Sequence, residues 1–323
     1  MIDHFQTIRI QHWQINLELE DSDTLQSNEC LKEIVERILK LHNNNYNLSD
    51  TTEISKDIFR YLKLQDRWVA FCSVLLKSRL FHMTKMTSTS SSILPITRLP
   101  RNERGKPFLP ADHEQIKFNV SHQYPFVGLS LYDAGQDSGM EIGLDLVTFD
   151  DYQKQRISVD EFLMYYSESF TPYEWSRICH GPERSRIRNF YIRWAVKESI
   201  SKAKGIGLAM DFASFQVLID DFDNIESNVE EQRSLEDLFH KIDNSCQQQT
   251  NVIGRLQKRG EREEYWILSF KFMFKDGVEE VQGCSCICIG PFSQKPNVML
   301  SLTHEEISID ELVSTHWCGQ RDE

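Results

Sequence analysis

Several marks of large protein classes are missing from this 323-residue chain. Positive charge is in deficit: 36 Lys and Arg stand against 49 Asp and Glu, a formal net charge of −13. An overall basic footprint for nucleic acid is therefore absent. No apolar run approaches the ~20 residues that a membrane-crossing helix needs, and Asp3, His4, Gln6 and Arg9 interrupt the start where a secretory segment would be apolar. The eight cysteines include no C-x2-C pair of the kind that holds zinc. Cys284, Cys286 and Cys288 alternate in "GCSCICIG", which puts them on one strand face. They read as reduced cysteines packed as small apolar groups in a cytoplasmic protein. There is no Walker loop, no G-x-G-x-x-G after a strand and no G-x-S-x-G elbow.

What is present suffices for one large domain or two ordinary ones, with 40% hydrophobic residues. "TIRIQHWQINLEL" alternates as a half-buried strand with a slip near Gln11 and His12, expected to be a bulge. "ECLKEIVERILKLHN" and "DRWVAFCSVLLKSRLF" have helical spacing, with "NNNYNLSD" between them read as a loop and "TKMTSTSSS" after them as a mobile low-complexity stretch. "IKFNVSHQYPFVGLSLYD" reads as two strands around a short turn, and "DAGQDSG" as a linker. Beyond it come the strand "MEIGLDLVTFD" and two helices, the second opened by Thr171 with Pro172 at its first position. A long helix over "FYIRWAVKESISKAK" follows, and then further strands. The order predicts an α+β fold in two halves, 1–136 and 137–323, the second carrying an acidic, partly disordered insertion at about 221–262. A site between such halves is a common arrangement.

The long helix carries the sharpest signal. Phe190, Tyr191, Trp194 and Ala195 form a core stripe that continues into Glu198 and Lys202, four residues apart and so on one face. Alone, Glu198 and Lys202 would be a surface pair worth about 0.3–0.5 kcal/mol. Their place on the stripe turns the carboxylate inward, which is costly unless it is paired or holds a metal. In "EIGLDLV", Asp145 shares a face with Gly143 and Val147; the bland reading is an Asp on the wet side of an edge strand. Asp145 and Glu198 together would offer two hard oxygen donors suited to Mg2+. "RNERGKP" places Arg101, Arg104 and Lys106 around a turn at Gly105, either a solvated basic loop or a clamp for a phosphorylated ligand. Ser121 and His122 are strand neighbours and point to opposite faces, so they are no catalytic dyad. Between Arg184 and Lys204 seven Lys or Arg accompany one Glu. That cluster could present an open face to an anion.

"GKPFL", "FNVSH", "IGLDLV" and "FYIRWAVKESISKAKGIGL" stand in this order, and the chain resembles the 4′-phosphopantetheinyl transferases of the monomeric, two-halved type over roughly residues 55 to 220. Within them it is most similar to the eukaryotic aminoadipate-semialdehyde dehydrogenase phosphopantetheinyl transferases. The resemblance implies a pseudo-twofold pair of α+β halves with the active site between them. It implies transfer of phosphopantetheine from coenzyme A to a serine of an apo acyl or peptidyl carrier, a holo-acyl-carrier-protein synthase activity. Asp145 and Glu198 are then the ligands of Mg2+ or Mn2+, and Lys202 the contact to the coenzyme's phosphates. Arg101, Arg104, Gly105 and Lys106 form the loop at the nucleotide end, and Asn119, Val120, Ser121 and His122 a second coenzyme-binding stretch. Val147 stands where bacterial members often place a third carboxylate, and Asp57, flanked by Lys56 and Arg60, where others carry a basic residue. The catalytic base is expected to be Glu198 or a water it orients. The favoured carrier is an aminoadipate reductase of lysine biosynthesis, with fatty acid and polyketide synthases as alternatives and no nucleic acid or membrane among the partners. The competing reading is a non-catalytic module of the same fold that binds coenzyme A or a carrier.

Overall fold

A computed structural model describes residues 6–17, 27–42, 48–83, 99–110, 113–135, 139–219, 249–274 and 281–317. The "TKMTSTSSS" stretch, the middle of "DAGQDSG" and residues 220–248 of the acidic insertion lie outside the described residues. The chain divides into two compact units, Met1–Ile10 with Tyr132–Leu302, and Gln11–Leu131 with Thr303–Glu323. Each is an α+β unit, and the described strands form one sheet of four strands and one of five.

The second unit holds β2 (Ile116–Gln123) with residues 11–16 of β1 (Gln6–Asn16), 126–131 of β3 (Phe126–Asp133) and 303–306 of β9 (Val298–Glu306), in a sheet ordered β2-β3-β1-β9. Its helices are α1 (Asn28–His42), α2 (Leu48–Phe59), α3 (Leu64–Met83) and α7 (Ile309–Trp317). Trp68, Phe71, Cys72, Leu75 and Leu76 of α3 join Trp13, Ile15, Leu17 and Leu129 in one core. The slip in β1 now has a cause. Ile8 and Ile10 belong to a core of the first unit and Trp13, Ile15 and Leu17 to a core of the second, so the apolar parity changes along the strand, while His12, Gln14 and Asn16 are buried on the even positions as well. Helix α2 corrects the loop reading of "NNNYNLSD", since the helix begins at Leu48.

The first unit carries the sheet β4-β8-β7-β6-β5, wholly antiparallel, from β4 (Glu141–Thr148), β5 (Phe215–Ile219), β6 (Gln249–Lys258), β7 (Glu264–Phe274) and β8 (Val281–Phe292). Strand β6 occupies the end of the stretch read as insertion. Helices α4 (Val159–Met164) and α5 (Pro172–Ile178) are capped by Ser158 and Thr171; Thr171 and Glu174 form a reciprocal capping box.

Helix α6 (Glu183–Lys204) lies against the sheet face that carries Cys284, Cys286 and Cys288. The helix buries more than one stripe: Ile192, Val196 and Ile200 are as enclosed as Phe190 and Ala195. On its other side Phe190 meets Phe162 edge-on at 5.2 Å, and Trp194 meets Tyr166 at 5.3 Å. Gly205 ends the helix in the left-handed region (φ 65°), with the Ile206 N–H returned to the Ser201 carbonyl. Among the described residues no helix is long and apolar enough to cross a membrane.

Candidate active site

Gly143 decides how α6 meets β4. A Cβ there would lie 1.8 Å from the Ser199 carbonyl oxygen and 2.8 Å from the Ala203 amide nitrogen. Helix backbone therefore rests directly on strand backbone, and the space left by the missing side chain is filled by α6. Asp145, two residues along the same strand face, is carried under the turn that holds Glu198 and Lys202. The Lys202 Nζ donates to Asp145 Oδ1 at 2.6 Å. Strand β4 is indeed at the sheet edge, yet Asp145 is only 7% exposed, because α6 covers it. The wet-edge reading is thereby overturned.

The Glu198 carboxyl is half-buried, and among the described residues it receives no hydrogen bond. Burial raises its proton affinity above the ordinary carboxylate value, the neighbouring Asp145 charge raises it further, and Lys202 opposes both. Two carboxylates and one ammonium thus share a small space with one negative charge in excess. No third His, Cys, Asp or Glu joins them among the described residues; Val147, two beyond Asp145, is a buried core residue. Two hard oxygen donors suit a divalent ion such as Mg2+, which seldom takes an all-protein cage.

The other sequence candidates belong to the second unit. Arg101 to Lys106 form a tight turn closed by a bridge between Arg101 and Pro107. Asn102 Oδ1 accepts from the Arg104 and Lys106 amides at 3.0 and 2.9 Å, and Gly105 takes φ 87°. Arg101 and Arg104 are exposed, Lys106 half-buried, and Arg101 donates to the Gly105 carbonyl at 2.7 Å. On β2, Asn119 and Ser121 are buried, Val120 half-buried and His122 exposed, so the two neighbours do face opposite ways.

Lys77 on α3 was not singled out from the sequence. Its half-buried ammonium feels the Arg101 charge, and burial together with that charge lowers its pKa to about 8, opposed by Asp57. Helical position alone gave no hint, because Lys77 stands in the run "LLKSRL" and reads as the polar side of α3. A base with a depressed folded pKa makes the unfolded chain bind more protons between the two values, so stability rises with pH there. Wild-type protein is expected to gain stability as pH climbs from about 8 towards the ordinary 10.5, and Lys77→Met to show no such gain and a higher Tm at pH 7. Melting curves across that range check it.

The basic cluster of 184–204 is not the open face expected. Arg188, Arg193 and Lys197 are buried, Arg186 is paired with Asp160, and Lys204 binds Glu264 at 2.6 Å. A helix enclosed this far must neutralise its charges internally. Arg184 remains exposed and, with Arg188, Tyr152 and Gln282, lines a cavity of about 290 Å³.

Comparison with known families gives the geometry a context. Residues 141–257 match a model of the 4′-phosphopantetheinyl transferase superfamily, and residues 50–132 match a model of the N-terminal part of 4′-phosphopantetheinyl transferases. The rat L-aminoadipate-semialdehyde dehydrogenase-phosphopantetheinyl transferase is 33% identical over 119 residues, 35% of this chain and 36% of that protein. A phosphopantetheinyl transferase of Thraustochytrium is 33% identical over 129 residues, 38% and 43% of the two chains. The Schizosaccharomyces pombe L-aminoadipate-semialdehyde dehydrogenase-phosphopantetheinyl transferase is 30% identical over 169 residues, 50% of this chain and 60% of that one. The match therefore spans between about a third and three fifths of these relatives' length. The superfamily match contains Asp145, Glu198 and Lys202, the N-terminal match contains Arg101 to Lys106 and Asn119 to His122, and the two follow in chain order. This chain belongs to the 4′-phosphopantetheinyl transferase superfamily.

Proposed function

We propose that the protein transfers the 4′-phosphopantetheine arm of coenzyme A to a serine hydroxyl of an apo carrier domain, leaving holo-carrier and adenosine 3′,5′-bisphosphate. The observation that carries this reading is the cluster of Asp145, Lys202 and the hydrogen-bond-poor Glu198 carboxyl. The serine oxygen forms a bond to the β-phosphorus, and the bond from that phosphorus to the bridging oxygen breaks. The electron pair leaves with the adenosine bisphosphate. Glu198 takes the serine proton; its raised proton affinity makes it a better base than an ordinary carboxylate, provided it is ionised at the start. Lys202 steadies Asp145 and offers its ammonium to the charge that develops on the leaving phosphate. A divalent ion held by the Asp145 and Glu198 carboxylates would supply further charge neutralisation at the pyrophosphate. Arg101, Arg104, Gly105 and Lys106, with Asn119, Val120, Ser121 and His122, are proposed to bind the coenzyme, and Lys77 adds positive charge beside Arg101.

The carrier class follows the relatives. Two of those compared are transferases for an aminoadipate-semialdehyde dehydrogenase, so an aminoadipate reductase is the first candidate, acted on by a cytoplasmic monomer in lysine synthesis. Incubation with coenzyme A, Mg2+ and apo forms of that carrier, of a fatty acid synthase carrier and of a polyketide synthase carrier tests the reading. Intact-protein mass is expected to rise by one phosphopantetheine on the first, and to stay unchanged when the metal is chelated. No gain on any carrier, with coenzyme A bound, would favour the non-catalytic binding module instead.

A further inference from the structure

One residue before Glu198, Lys197 turns about 100° away around the helix and enters the core, where its side chain is 0% exposed. Its Nζ binds Glu174 Oε2 at 2.9 Å and donates to the carbonyls of Phe212 at 2.6 Å and Phe215 at 2.7 Å. It also lies 4.3 Å from the centre of the Phe215 ring. Glu174, 1% exposed, accepts in addition from the Thr171 amide and hydroxyl, each at 3.0 Å, and from the Val217 amide at 3.0 Å. An ammonium has three protons, and here each has its own acceptor on a separate segment: α5, the turn before β5, and the first residue of β5.

A buried ion pair of this kind is seldom more stabilising than an apolar pair of similar volume. What an apolar pair cannot do is specify direction. Three bonds from one ammonium at position 197 fix both the rotation of α6 and its height against α5 and β5. Glu198 and Lys202 follow within a turn and a half on the same rigid rod.

We propose that the Lys197–Glu174 pair is a positioning device: it holds α6 at the rotation that brings Glu198 and Lys202 onto Asp145. The inference rests on the transferase reading of that cluster. Removing one member alone leaves a bare buried charge and tests only stability, so the informative protein is the double variant Lys197→Met with Glu174→Gln. Two readouts are compared with wild type: Mn2+ affinity by electron paramagnetic resonance on protein saturated with coenzyme A, which does not turn over without carrier, and the split between kcat and KM for coenzyme A. Groups that orient metal ligands typically carry 10–100-fold in affinity. The double variant is expected to melt cooperatively near wild type, to bind Mn2+ roughly 10–100-fold more weakly, and to lose kcat by a similar factor at unchanged KM. Glu264→Gln, which releases Lys204 at the end of the same helix, serves as control and is expected to leave both readouts at wild-type values.

Wild-type Mn2+ affinity and kcat in the double variant overturn the proposal. So does loss of cooperative melting, which would make the pair structural only, or an equal loss in Glu264→Gln. A wild-type protein that neither binds Mn2+ nor modifies a carrier sinks the transferase reading itself, a result distinct from a working wild type beside an unaffected variant.

Discussion

Glu198→Gln is expected to lower the rate of phosphopantetheine transfer by roughly 10²–10⁴-fold, the range for loss of a general base, without loss of fold. The substitution keeps size and shape and removes the charge. Because burial and Asp145 both disfavour the ionised carboxylate, and no hydrogen bond within the described residues depends on it, the neutral amide relieves strain rather than creating it. Tm at neutral pH is therefore expected to equal or exceed that of wild type. Stopped-time mass analysis of the carrier and a melting curve on the same preparation check the two halves together. Full transfer by a stable Glu198→Gln protein would remove the residue from proton transfer, and a large fall in Tm would show that its carboxylate has a structural partner.

The second large effect is expected from a single methyl group. In Gly143→Ala the new Cβ would sit 1.8 Å from the Ser199 carbonyl oxygen, a backbone atom that cannot swing aside. Either α6 lifts off β4 or the variant fails to fold. Overpacking of a close core contact costs typically about 1–3 kcal/mol, and this contact is backbone on backbone, at or above the top of that range. Any lift separates Lys202 and Glu198 from Asp145, which stays on the strand. Denaturant midpoints and Mn2+ binding are expected to fall together in Gly143→Ala. Gly139, where a Cβ would meet nothing within 4 Å, is the control, and Gly139→Ala should change neither. Unchanged stability in Gly143→Ala would mean that the helix does not rest on the strand as described.

The parts of this site that were legible in the sequence are those with local periodicity. Period two in "EIGLDLV" puts Gly143, Asp145 and Val147 on one face, and period 3.6 puts Glu198 and Lys202 on one face of α6. Both hold in the structure, which also supplies a reason for the glycine that spacing did not: it admits the backbone of α6. That strand and helix meet was not in any spacing; it came from resemblance, and the Lys202–Asp145 bond shows the contact.

What sequence reading missed depends on partners distant along the chain. Lys197 counted as one more charge in a basic cluster, because its burial is intelligible only with Glu174, 23 residues earlier, and with two carbonyls after the helix. Lys77 was passed over for the same reason, its neighbour Arg101 lying in a later loop. Strand β6 hid in a polar stretch. Its Arg255 and Gln257 alternate with Val252, Gly254 and Leu256, and Gly254 breaks the apolar pattern where the Leu268 side chain, 2.8 Å from a would-be Cβ, needs the space. Helix α2 followed an Asn-rich segment whose composition favours turns, and that signal was extended three residues too far, over Leu48, Ser49 and Asp50.

Crystals grown with coenzyme A and soaked in Mn2+ give the most direct test of the central claim, through the anomalous signal of the metal. The account predicts one site in this cluster, within metal–oxygen bonding distance of both the Asp145 and the Glu198 carboxylates and lost in Glu198→Gln. A site bonded to only one of the two, or a fully active protein with Mn2+ bound elsewhere, would contradict it.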